Sequence, residues 1–359
     1  MKVVVIGAGV AGLAIGWRLQ QAGADVTILE RGRAAMGASW AAAGMIAVAG
    51  EANDETSVAS QFARESSALW PSFATEVEAA SGCAIDYRRN GALLVATDAS
   101  DPGVPGRLEW LPGDEARRRA PMLSPDIAGA WWAPEEAQVD NRALGRALAI
   151  AFRRAGGMLS VNEAAVRFVV EWDAVRAVET PFSRHAADAY VVAAGAWTGG
   201  LGGLPPGILP PIRPVKGEMI AVAPPDGAAL PQQVVRSGHV YAVPRRDRLL
   251  IGATTQDIGF DSSVTEAAAQ WLSAGAIRLM PDLSRWRVVE RWPGLRPGSP
   301  DGLPVLGPTG LEPLFVASGQ YRNGILFAPS VADSMSRLVL GHAPAIPQFD
   351  PRRFPKEKV

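Results

Sequence analysis

The sequence predicts an α/β fold built on a parallel sheet, with a second domain inserted into it. Three observations carry this reading. An apolar strand runs straight into a glycine-rich turn and an amphipathic helix, a second apolar strand follows and ends in an acid, and a Pro-, Gly- and Trp-rich stretch then interrupts the alternation of helix and strand.

Residues 2–6 form the first buried strand, and Val10, Leu13, Ala14 and Trp17 follow at the spacing of one helix face before Gly23 closes the helix. Residues 26–29 form the second strand, which stops at Glu30. Strand, turn, helix and strand in this order make a βαβ unit, and hence a parallel sheet. Residues 51–80 predict a helix with Phe62, Leu69, Trp70 and Phe73 as core, and residues 87–139 short strands and loops. A helix is expected over 141–155, with Leu144, Leu148 and Ile150 as its apolar positions, and a buried strand over 189–194. Residues 204–225 are proline-dense, and strand-like runs alternate with turns from there to Trp292. A strand over 314–317 and a helix over about 325–340 close the pattern.

With 359 residues, 48% hydrophobic and 20% charged, the chain buries a large core and exceeds the size of one typical domain. A net charge of -1 argues against nucleic acid or an anionic membrane surface as partner, since either calls for a basic excess. The single Cys83 excludes an intramolecular disulfide and any cysteine-cluster metal site. Lysine occurs only at Lys2, Lys216, Lys356 and Lys358, so Schiff-base chemistry would depend on Lys216. The first strand begins without a charged leader and no apolar run reaches about 18 residues, the nearest being 39–50; no integral membrane segment and a cytoplasmic location are expected.

Gly7-Ala8-Gly9-Val10-Ala11-Gly12 fits G-x-G-x-x-G in the context the motif requires, strand before and helix after, which makes the unit Rossmann-like. Gly7 permits the tight turn, Gly9 admits a pyrophosphate and Gly12 lets helix and strand pack closely, while the helix N-terminus presents N–H groups to phosphate. Glu30 can accept hydrogen bonds from ribose hydroxyls. The motif serves NAD and FAD alike. In residues 37–45 the side chains are too small for an ordinary core helix, which suggests backbone passing close to a flat ligand.

Taken with 39–45, 191–197, Pro214-Val215-Lys216-Gly217-Glu218, Gly294-Leu295-Arg296-Pro297, 301–304 and Tyr321-Arg322-Asn323-Gly324-Ile325-Leu326, the turn resembles the glycine oxidase branch of the D-amino-acid oxidase and sarcosine oxidase flavoproteins, over nearly the whole chain. The resemblance implies a Rossmann-like FAD-binding domain (1–82, 140–205 and 296–359) and an inserted antiparallel-sheet substrate domain (83–139 and 206–295) that roofs the flavin. It implies non-covalent FAD, and no cysteine after Cys83 exists for a thioether link. Implied cofactor contacts are Val10, Ala11, Glu30, Arg31, Ser39, Ala43, Gly44 and Met45, with Val166 on the adenine side and Gln320, Tyr321, Arg322, Asn323, Gly324, Ile325 and Leu326 around the pyrimidine end. A helix starting near Ile325 would stabilise negative charge on reduced flavin.

Arg296, in a Pro/Gly-rich turn, can clamp a substrate carboxylate with its planar fork. Tyr241, in a strand expected over residues 239–243, can add a hydroxyl, and His239 shares its face because strand side chains repeat every second residue. Arg322 is expected to reach the substrate, whereas His185 and His342 are expected at the surface. Thr255 stands where the family pattern can place a pocket methionine, which puts strict glycine preference in doubt. The resemblance implies oxidation of glycine or another small amino acid to an oxo acid, ammonia and hydrogen peroxide by dioxygen, feeding the thiazole branch of thiamin biosynthesis. No residue is assigned as acid or base, because orienting a neutral amine suffices. A quinone-linked dehydrogenase of the same fold and a tRNA-modifying flavin domain are the alternatives, and a homo-oligomer is left open.

Overall fold

The computed structural model describes residues 1–49, 56–96 and 108–354. Residues 51–55 of the expected first long helix and 97–107 of the expected loop-rich stretch lie outside these. A six-stranded sheet runs in the order Val305–Pro308, Leu314–Ser318, Ala189–Val192, Lys2–Ile6, Asp25–Glu30, Met158–Val161. Its neighbours are parallel except for the Val305–Pro308 hairpin strand. The helices Val10–Gln21, Val58–Ser81, Asn141–Arg154 and Ala328–Val339 pack around one core, in which Leu13, Trp17, Ile28, Trp70, Phe73, Leu144, Leu148 and Phe152 are fully enclosed. The i, i+3, i+4 pattern of the first helix thus faces the sheet, as its spacing requires.

The second sheet has eight strands, in the order Arg287–Gly298, Arg213–Ala223, Leu249–Gly252, Tyr241–Pro244, Val234–Arg236, Ala92–Ala96, Gly129–Ala133, Glu109–Pro112. It is antiparallel but for one junction, where Val234–Arg236 runs parallel to Ala92–Ala96. The Arg287–Gly298 strand continues past residue 295, so Arg296, expected in a Pro/Gly-rich turn, instead lies in a strand of this sheet, because residues 294–298 stay paired with 213–217.

Further features differ from expectation. Residues 266–279, expected among strand-like runs, are the helix Glu266–Leu279, capped by Thr265, whose hydroxyl accepts from the Ala268 N–H at 3.2 Å. The final helix begins at Ala328 rather than near Ile325. Before it the chain turns, with Phe327 N–H donating to Asn323 O, and Pro329 occupies the first helical turn, where its missing N–H costs nothing. His239 lies outside the strand, which starts at Tyr241; a Ser237–Val240 turn carries it instead.

Candidate active site

The two sheets enclose a cavity of about 620 Å³. The glycine turn forms one end of it. Gly7 has a φ of +105° and lies so close to the Ala193 carbonyl that a side chain there would collide. Glu30 braces the turn: its carboxylate accepts from Ala8 N–H at 2.8 Å and from Gly32 N–H at 2.9 Å. Ser39 Oγ accepts from Val10 N–H, the first helical amide, at 2.9 Å. The Arg31 guanidinium rests 3.5 Å from the centroid of the Trp197 ring.

Gly7, Gly9, Val10, Ala11, Glu30, Arg31, Ser39, Ala43, Gly44, Met45, Gln320, Tyr321, Arg322, Gly324 and Ile325 all line this cavity. Gly12, Val166, Asn323 and Leu326 are not among its walls. Gly12 is covered by the Gly7 carbonyl. Val166 is 51% exposed on the outer side of the chain, and its neighbours Ala164 and Ala165 form the wall. Leu326 is buried in the first core, its carbonyl accepting from Ser66 Oγ at 2.7 Å and Trp70 Nε1 at 3.0 Å, while Asn323 is engaged in the turn.

Short side chains over 37–45 carry the floor, where only Ala38–Ala41 is helical. Arg245 stitches that floor from behind. It is 8% exposed and donates to the carbonyls of Ala43 at 2.5 Å and Val139 at 3.0 Å, and burial pulls its guanidinium down to about 10.

The eight-stranded sheet supplies the roof. Arg296 leans across Gly217, and its Nη1 donates to the carbonyls of Thr254 at 3.2 Å and Lys216 at 3.4 Å. Tyr241 leans across Gly252, with its hydroxyl 3.8 Å from Met219 Sδ. The strands bearing Gly217 and Gly252 are neighbours, so the guanidinium and the phenol lie over adjacent strands of the roof. Arg236, absent from the expected set, faces the same cavity because it is paired directly opposite Tyr241. Its Nη1 stands 3.7 Å from the buried Glu136. His239 lines the cavity from its turn. Arg322 Nη2 donates to Thr255 Oγ1 at 3.1 Å, and Thr255 itself is not a wall. Lys216 is not a wall either; it is fully buried on the reverse face of the roof. His342 is exposed, whereas His185 is half-buried and its Nε2 lies 3.0 Å from Glu163 Oε1.

The glycine turn and helix N-terminus suit a pyrophosphate, and the Glu30 carboxylate beside them suits a ribose. Gln320 adds a buried side-chain amide nitrogen that has no hydrogen-bond partner among the described residues and lines the cavity. A dinucleotide with a polar ring edge would satisfy it. The volume lies within the usual range of about 300 to 1,000 Å³ for ligand and cofactor sites.

Fold and cavity together define an oxidoreductase that uses a dinucleotide cofactor. The family described as DAO, FAD dependent oxidoreductase, matches residues 2–338, and the chain belongs to it; its cofactor is FAD. A bifunctional ThiO/ThiG protein of Trichormus variabilis is 36% identical over 99% of this chain and 55% of its own length. The chain thus spans about half the length of the bifunctional relatives it matches. A glycine oxidase of Pseudomonas aeruginosa is 33% identical over 96% of both chains. The crystal structure of glycine oxidase from Geobacillus kaustophilus superposes with a TM-score of 0.90, at 34% identity over 98% of each chain. No helix among the described residues is long and apolar enough to cross a membrane.

Proposed function

We propose that this protein is an FAD-dependent oxidase of glycine or other small amino acids. It would convert amino acid, water and dioxygen to oxo acid, ammonia and hydrogen peroxide in the cytoplasm and supply the thiazole branch of thiamin biosynthesis. The observation that carries this is Arg296, whose guanidinium lies across Gly217 in the same cavity as the glycine turn. A planar fork at the roof is suited to hold a carboxylate by two parallel hydrogen bonds. Tyr241 adds a hydroxyl beside it, and Arg236, His239 and Arg322 make that end of the cavity rich in donors. Among the described residues, the only carboxylate in the cavity walls is that of Glu30, which braces the glycine turn. Orientation of a neutral amine, rather than proton transfer to a side-chain base, is therefore the protein's contribution.

FAD supplies the two-electron acceptor that dioxygen reoxidises. The turn 7–12, Glu30 and Ser39 would hold its pyrophosphate and ribose, and Gln320 its ring edge. Segments 1–82, 140–205 and 299–359 would form the cofactor domain, and 83–139 and 206–298 the substrate domain, the boundary expected at 296 moving to the end of the Arg287–Gly298 strand. The relatives named glycine oxidase support this reading. Anaerobic bleaching of the flavin with glycine, sarcosine and D-amino acids tests it, followed by oxygen uptake measured against quinone reduction. Bleaching by glycine or sarcosine with stoichiometric peroxide is expected; reoxidation only by quinone would make the protein a dehydrogenase instead.

A further inference from the structure

The motif Pro214-Val215-Lys216-Gly217-Glu218 lies in the Arg213–Ala223 strand, and only part of it faces the cavity. Gly217 and Met219 line the cavity, so Lys216 and Glu218 project from the reverse face. Both are buried, at 0% and 2% exposure. Lys216 Nζ lies 2.8 Å from Asp261 Oδ2, 3.3 Å from Ser263 Oγ and 3.4 Å from Glu218 Oε1. Burial pulls this ammonium down, but the bond to Asp261 and the Glu218 charge outweigh it, so the group stays protonated. Glu218 in turn accepts from Thr265 N–H at 2.7 Å and Thr265 Oγ1 at 3.1 Å.

These side-chain contacts tie down the far end of the segment that leaves the Leu249–Gly252 strand, and the main chain of Glu218 ties down its near end. At its near end Glu218 N–H donates to Thr254 Oγ1 at 2.8 Å, and Thr254 N–H returns a bond to Glu218 O at 3.2 Å. At its far end stand Asp261, Ser263 and Thr265. The two carbonyls on which Arg296 rests belong to Thr254, at the near end of this segment, and to Lys216, whose carbonyl also accepts from the segment's Gln256 N–H at 2.9 Å, so the course of the segment sets both. A buried ion pair gives little net stability compared with apolar side chains of like volume, so its effect here is geometric.

We propose that Lys216 and Glu218 are positioning residues for Arg296: from the reverse face of the roof they anchor the segment 254–265, and so set the carbonyl pair that aims its guanidinium into the cavity. The inference rests on the reading of Arg296 as the carboxylate clamp. Its ligand class is a small monocarboxylate, and acetate is the probe.

Acetate is titrated into the FAD-loaded protein and followed through the flavin absorption spectrum. Glu218→Gln should raise the acetate Kd by about tenfold with FAD retained, and in an Arg296→Ala background the same substitution should change it by less than about twofold, because the two residues act through one contact. Thr254→Val, which removes only the hydroxyl bonded to Glu218 N–H, should raise the Kd by about threefold with the same dependence on Arg296. Equal losses in both backgrounds overturn the inference while leaving the clamp standing. So does an unchanged Kd in Glu218→Gln, or, should that variant not hold flavin, in Thr254→Val. An unchanged acetate Kd in Arg296→Ala itself overturns the clamp reading, and the inference falls with it.

Discussion

The Arg296 guanidinium lies across Gly217 and fills the space that a Cβ at residue 217 would need. Glycine at this position is therefore a requirement of the neighbouring strand, since Val215, not Gly217, is the backbone partner of Arg296. Gly217→Ala should push the guanidinium off its two carbonyls and weaken acetate binding by about tenfold, within the cost of roughly 1 to 3 kcal/mol typical of overpacking. Isothermal titration against acetate, with FAD content as control, measures this. Full acetate affinity in the alanine variant would show that the slot is not needed.

Replacing Arg296 itself tests the charge. Arg296→Ala should lower acetate affinity by about ten- to a hundredfold, since a charge-assisted hydrogen bond contributes roughly 1.5 to 3 kcal/mol. Arg296→Lys should recover only part of this, because an ammonium lacks the fork. Tyr241→Phe should cost about 1 kcal/mol, the smaller effect of one neutral hydroxyl. If the tyrosine variant proves the more damaging, the clamp is centred on the wrong residue.

Glu30 accepts one backbone hydrogen bond from the glycine turn, at Ala8, and a second from Gly32 just beyond its own strand. Glu30→Gln removes the charge and presents an N–H₂ group where an acceptor is needed, so FAD retention should fall by about tenfold or more, at roughly 1.5 to 3 kcal/mol for such bonds. Substrate KM, measured on fully loaded protein, should stay unchanged. Fluorescence of FAD released on dilution gives the affinity, and equal retention in both proteins would remove Glu30 from the site. Denaturation should release intact FAD, because the single cysteine, Cys83, is not among the cavity walls.

Glu163 anchors the cluster behind the Ala164–Ala165 wall. Hydrogen bonds from Ser183 and His185, then from Thr180, hold its carboxyl at about 2, well below its ordinary 4.5. A depressed carboxyl stabilises the fold above its unfolded value, and this contribution is lost as pH falls from about 4.5 through about 2. Thermal unfolding of the parent should therefore fall more steeply than that of Glu163→Gln across this window. Parallel Tm curves for the two proteins would contradict the assignment.

Much of the cofactor end was legible from residue order alone. Residues 2–30 carry a strand, a turn and a helix whose contacts are local, and G-x-G-x-x-G with Glu30 specifies them through spacing. Arg296, through its motif, and Tyr241, in the strand-like run 239–243, were expected at the substrate, and both line the cavity. The helix Glu266–Leu279 was written in the sequence but missed: Ala268, Ala269, Leu272, Ala276 and Leu279 follow the helical period, and Thr265 caps it. Its small alanines gave only a weak apolar signal beside the strand-like runs around them.

Other features depend on register between distant strands, which no local pattern encodes. Arg236 enters the cavity because it is paired opposite Tyr241, and His239 reaches it from a turn rather than from the strand expected of it. Likewise Lys216 and Gly217 are neighbours in sequence, yet one joins a buried ion network and the other makes room for Arg296. By itself the sequence determined the dinucleotide turn and the inventory of donors, because those follow from residue type and short spacing. Tertiary structure alone decided which donors share one cavity, because strand pairing assigns each side chain to one face of the roof and sets two glycines beneath the guanidinium and the phenol.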